Sequence, residues 1–263
     1  MGALVACAAT LTHETVEGAL TTNSWTVVGG KWEAAGNWSA GQPGISNAAD
    51  VITNVNFEGD AIVTIDSSTV ATPGVMTVSN LTMSGLAAST HSLVLNDAGP
   101  VTPLHILNSL QLLSGGAMAI VDSALQVDGP FGNDGSFTMQ PGARVTVANA
   151  SMIVGLVATG QVAIGGGTMT VSTLFVGSNT TTIGTLTVSG GSLVCSNALF
   201  GAGSNSTAAI WLTGGELDVT NLNGVTVLGR FGTAQVAVSN GAILNAKFMM
   251  MGDGSQSVGT LTV

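Results

Sequence analysis

The 263-residue chain has no tyrosine, two cysteines and four basic residues, and only 7% of it is charged. Each shortage excludes something. Lys31, Arg144, Arg230 and Lys247 are scattered along the chain. Four isolated cations cannot neutralise a phosphate backbone, so a nucleic-acid partner is not expected, nor is an anionic membrane surface. Apolar residues make up 45% of the chain, yet Gly, Ser, Thr and Asn interrupt every stretch. No run reaches the ~18 residues of a membrane-spanning helix, so no membrane insertion is expected. Cys7 and Cys195 lie far apart, and neither has a Cys or His at metal-ligand spacing. A chain this poor in Lys and Glu does not solvate its surface as a cytosolic domain does. Its polarity must come from Ser, Thr and Asn, threaded by 37 glycines, with a net charge of −10. That profile predicts an extracellular or cell-surface protein, protease-exposed or assembled.

Residues with catalytic chemistry are equally sparse. Acid–base work on polysaccharides needs clustered carboxylates with a base beside them. Here the bases are isolated, and His13, His91 and His105 fall outside the regular repeat, with His91 and His105 at no zinc spacing. The expectation is no enzyme and no cofactor. One acidic stretch, "DSALQVDGPFGNDG", sets Asp122, Asp128 and Asp134 six residues apart. If that spacing places them on neighbouring corners they are weak calcium candidates; the competing reading is that Asp-Gly makes turns. Asn-x-Ser/Thr sequons at Asn37, Asn80, Asn149, Asn179 and Asn205 are glycosylation candidates in a secreted protein.

What is abundant is repetition. The phrases "LQLLSGGAMAI", "SFTMQPGARVTV", "QVAIGGGTMTV", "TLTVSGGSLVC", "IWLTGGELDV", "VAVSNGAILN" and "GTLTV" align on Leu113, Met139, Ile164, Val188, Leu212, Val238 and Val263. The steps are 26, 25, 24, 24, 26 and 25 residues, and a fixed period of this size is the signature of a repeat architecture. Each unit holds a short alternating segment, a "GG" or "NG" corner, a second alternating segment, and a third often closed by Gly, as in "TLFVG" and "KFMMMG". Alternation at period two marks half-buried strands, and Gly or Asn supplies the positive φ of tight corners. Three short strands per ~25 residues predict an all-β, right-handed parallel β-solenoid, the hand following from the general chirality of parallel crossovers. Inward ladders are expected through Val188, Leu212 and Val238, and through Leu193, Leu217 and Ile243. A β-sandwich would also have short strands but predicts no constant period.

Three divisions follow: residues 1–23 as an N-terminal segment, 24–100 as a Trp-rich cap with irregular leading coils, and 101–263 as regular coils. "LVAC" at 4–7 allows two further readings of the first segment, a signal remnant or a lipid-carrying Cys7. Trp25, Trp32 and Trp38 fall within "SWTVVGGKWEAAGNWSAGQPG" and are expected to close the solenoid end; the alternative is glycan stacking. The combination of "SWT..GG.W...GNWS.GQPG...AAD" with "GTLTVSGG" repeats resembles large secreted bacterial β-helical repeat proteins, of the autotransporter-passenger-like or PEP-CTERM-like kind. That resemblance implies a cell-surface adhesin or structural extracellular component, although no membrane barrel or sorting tail is recognisable here.

The chain's last phrase, "SVGTLTV", is uncharged and β-prone, and its pattern continues elsewhere into a full coil. An edge of that kind needs cover, from more chain or from another subunit. If the cover is another copy's N-terminal strand, the interface comprises Leu4, Val5, Leu11, Val258, Leu261 and Val263, and head-to-tail repetition yields a filament. The expected partner is therefore the chain itself; the alternative is an adhesin that binds glycans through a lateral face or the Trp cluster.

Overall fold

In the computed structural model, residues 21–44, 47–52, 59–85, 88–221 and 225–263 are described. The protein is nearly all β, 60% strand and 4% helix, wound as a β-solenoid of about eight turns of parallel strands. The strands stack on three faces. Face 1 includes Thr159–Ile164, Ile183–Val188, Thr207–Leu212, Thr233–Val238 and Val258–Thr262, each hydrogen-bonded in parallel to the next. Face 2 stacks residues 144–147, 168–171, 192–195, 216–219 and 243–246. Face 3 stacks residues 152–154, 173–176, 198–200, 226–228 and 249–251.

Alternation decides which side chains enter. On face 1 the inward ladders run Phe137, Val162, Leu186, Ile210 and Val236, and beside it Met139, Ile164, Val188 and Leu212; all are at most 2% exposed. Neighbouring strands lie ~4.8 Å apart, so like residues touch along the axis and each turn buries the next. The third strand of a turn ends on a left-handed glycine: Gly155, Gly177, Gly201, Gly229 and Gly252 have φ between 62° and 76°. An L side chain is strained there, which is why "VG", "FG" and "MG" recur at this corner.

Two alignments differ from those read off the sequence. Met139 stacks on Ile120, not on Leu113. The turn between Ile120 and Met139 is only 19 residues long, against 25 from Met139 to Ile164. The double glycine at 115–116 leads into face 1, whereas Gly190–Gly191 leads out of it, so one motif serves two corners. Likewise Leu217 pairs with Leu244, and Ile243 points outward at 53% exposure. The corner at 239–242 carries one residue more than that at 213–215, with Asn240 and Gly241 both at positive φ. One extra residue reverses the side a strand presents.

His91 and His105 also lie on registered strands rather than outside them: His91 pairs with Ala61 and Gly116, and His105 with Thr77 and Gln126. The strand His91–Leu112 runs through residue 100, with shifts of register between Asn96 and Leu104.

Candidate functional site

The amino-terminal end of the described solenoid is closed by aromatics. Trp25, Trp32 and Trp38 are 1%, 0% and 4% exposed. Trp38 packs edge-on to both others, at 5.1 and 5.0 Å between ring centroids. The Trp32 indole N–H donates to Val75 O at 2.7 Å, and that of Trp38 to Trp32 O at 2.8 Å. Rings buried this deeply offer no face to a sugar, so glycan stacking has no footing on these three.

A polar clasp locks the cap. Asp66 caps the short helix Ser67–Val70 in a reciprocal capping box with Thr69, and Lys31 pairs with Asp66. The Glu33 carboxylate accepts from Ser68 Oγ at 2.9 Å and Thr69 Oγ1 at 2.6 Å. Burial opposes the charge on Glu33, but the Thr69 hydroxyl, its own backbone, the Ser68 hydroxyl and Lys31 together hold its carboxyl below the ordinary value of 4.5. A group depressed on folding stabilises above its unfolded pKa and loses that contribution as pH falls through the folded one. Acidification from pH 5 to pH 3 is therefore expected to loosen the cap, seen as a red shift of tryptophan emission. Glu33→Gln should start looser and respond less over that window; an equal response in both would remove Glu33 from the account.

The three calcium candidates do not converge. Asp122 sits at the corner between faces 1 and 2, Asp128 between faces 2 and 3, and Asp134 between faces 3 and 1. The six-residue spacing is that of successive corners of the one short turn. Asp128 accepts from Gln126 at 2.8 Å and lies 2.6 Å from His105 Nε2; these hydrogen bonds, Gln126 first, lower its pKa. Asp134 is 4% exposed and accepts from the backbone N–H groups of Leu156, Val157 and Ala158 on the next turn. Among the described residues, no group of three or more His, Cys, Asp or Glu is placed to hold a metal ion, and no helix is long and apolar enough to cross a membrane.

Cys195 is a buried free thiol in the face 2 ladder, between Val171 and Val219. Burial, aided by Asp218, pushes its pKa up to about 12, so it stays a thiol and packs as a small hydrophobe. Of the sequons, Asn149 and Asn205 are exposed at left-handed corners, with φ 54° and 55°. The Asn37 and Asn179 amides donate to Lys31 O and Leu156 O, and Asn80 accepts from Ser109 Oγ.

The surfaces best placed to meet another molecule are the last turn and face 1. Leu4, Val5, Leu11, Cys7 and His13 lie outside the described residues, whereas Val258 and Val263 are 52% and 94% exposed and Leu261 is partly buried. Among the described residues, strands 243–246, 249–251 and 258–262 pair on one side only. No protein-family model, curated protein or solved structure matches this chain. The reading of these surfaces therefore rests on their own chemistry.

Outward positions of face 1 form three ladders: Ser136, Gln161, Thr185, Ala209, Gln235 and Thr260; beside them Thr138, Ala163, Thr187, Trp211, Ala237 and Thr262; and, at the strand starts, Thr159, Ile183, Thr207, Thr233 and Val258. None of these positions carries a charge. Trp211 is the one aromatic among them, and the sequence reading passed it over. It could have been found there: in "AIWLT" Ile210 and Leu212 take the inward phase, which leaves the indole outside.

Proposed function

We propose that the chain is a structural subunit of an extracellular filament or cell-surface layer. In this reading ~25-residue, three-strand, right-handed coils are the stacking unit, and copies join head to tail, an N-terminal strand adding to the open last turn of the next copy. The subunit bears load and performs no chemistry.

The observation that carries this reading is the surface of the last turn. Among the described residues three parallel strand edges there have no second partner, and Ile243, Phe248, Met250, Met251 and Val258 are 44–53% exposed. Leu244, Ala246, Met249 and Leu261 continue the inward ladders toward that end. Exposed apolar side chains beside strand edges favour strand addition over solvent. Thr21–Ser24 lies at the opposite end of the stack from the last turn. The sparse charge supports close association, since few like charges must be brought together.

The test is negative-stain electron microscopy of the purified chain with and without residues 1–22. Filaments from the full chain that disappear on truncation are the expected result. Discrete particles from both would refute the reading.

A further inference from the structure

We propose that face 1 is a binding platform for a neutral polysaccharide, with Trp211 as its stacking residue. The inference rests on the fold and on this face alone, and is independent of the filament reading.

The indole is half-buried, neither sealed in the core nor fully free of its neighbours. Trp211 points outward from the strand Thr207–Leu212, between inward Ile210 and Leu212, which are fully buried. Its ladder neighbours are Thr187 on one side and Ala237 on the other, with Ala209 two positions back along its own strand. None of these side chains is long enough to cover an indole face. The other three tryptophans show the contrast: each is at most 4% exposed and held in the cap. An amphipathic ring on a flat sheet surface suits a pyranose, whose C–H face stacks on the ring while its hydroxyls stay polar.

The surroundings supply those hydroxyls with partners. Gln235 and Thr185 are the diagonal neighbours of Trp211, one strand to either side, and Gln235 is exposed. An amide both donates and accepts, and a threonine hydroxyl does the same. Diagonal neighbours on adjacent strands lie ~7–8 Å apart, so these groups sit within reach of a sugar stacked on the indole or of the next sugar in the chain. Flat rows of short side chains on either side let an extended polymer continue along the face without a clash.

Charge selects the class of ligand. The protein carries −10 overall, yet from Ser136 to Thr262 the outward ladders of face 1 hold no Asp, Glu, Lys or Arg; Lys31, further along the ladder of Trp211, stands seven strands away and pairs with Asp66. Along that segment no ladder cation is present to pair with a uronate or sulfate, and the overall field repels polyanions. The chemistry that fits is therefore uncharged, a glucan, mannan or xylan type of chain.

The experiment uses the full chain and the tryptophans already in it. With three of four buried, acrylamide should quench about a quarter of the emission readily. Addition of neutral polysaccharides (barley β-glucan, galactomannan, xyloglucan and dextran, with polygalacturonate as the anionic comparison) should protect that fraction for at least one neutral polymer and not for polygalacturonate. In affinity electrophoresis, Trp211→Ala should weaken retardation by about tenfold or more, the scale of a lost aromatic contact; Trp211→Phe should keep part of it, and Gln235→Ala should weaken it several-fold. An outward substitution should leave the thermal transition in place, so loss of binding is not loss of fold. Three results would overturn the proposal: no neutral polymer binds; Trp211→Ala binds as well as the unaltered chain; or Trp211 is protected by raising protein concentration without any glycan, which would make face 1 a contact between copies.

Discussion

Replacing Gly160 with alanine is expected to destabilise the protein by about 3 kcal/mol, the upper range for overpacking, because backbone rather than side chain stands in the way. A Cβ built at Gly160 would lie 2.0 Å from Asn133 O and 2.5 Å from Gly155 N. Both belong to hydrogen-bonded main chain: Gly155 N donates to Asn133 O at 2.9 Å. Gly160 sits in the same inward ladder as Gly184, Ala208 and Ala234. Further along, the same ladder carries alanine. Ala208→Gly is thus the informative comparison, with an expected cost of only about 1 kcal/mol from backbone entropy and a lost methyl. Urea midpoints of the two variants check this directly. Equal midpoints would mean that the corner relaxes and that glycine here answers to something other than space.

Asp134→Ala is the second large effect. The Asp134 carboxylate is buried against three successive N–H donors of the corner above, at 2.6 Å from Leu156, 3.0 Å from Val157 and 3.0 Å from Ala158. Truncation leaves those donors without their acceptor, and even with water partly replacing it a loss of about 3 kcal/mol is expected. Asp122→Ala, on an exposed corner of the same turn where φ is 40°, should cost only about 1 kcal/mol, that of placing alanine in the left-handed region. Amide exchange at Leu156, Val157 and Ala158 should accelerate in the first variant only. Similar costs for both would assign Asp134 the ordinary role of a turn former.

This contrast also shows where sequence reasoning reached its limit. The ladder of Val188, Leu212 and Val238 is legible because the alternating phase and the repeat agree over successive turns. The fold class follows from that agreement. Errors arise where a corner changes length, because a strand's phase is fixed only by counting through the corner before it. One added residue before Ile243 was enough to exchange it with Leu244 as the inward residue. A six-residue rhythm among acids suggested one site, when six residues carry the short turn from one corner to the next. Trp211 was legible from phase alone, whereas the three tryptophans that cluster in sequence serve burial. Whether the last turn meets another copy is not a matter of pattern at all, since a pattern describes what stacks and not what arrives.

The uniform direction of stacking has a mechanical consequence. Strands lie across the solenoid axis and are joined to the next turn by hydrogen bonds that run along it. Tension applied between the two ends therefore loads those bonds in line and peels them a strand at a time, rather than shearing a whole sheet at once. At ~3.3 Å per extended residue, an ordinary turn of about 25 residues would pay out ~80 Å of chain. The 19-residue turn, held by the edge-to-face pair Phe131 and Phe137, would release ~60 Å. Such a body lengthens in steps under load and dissipates work at each one, a shock absorber whose stroke is written in its corner lengths.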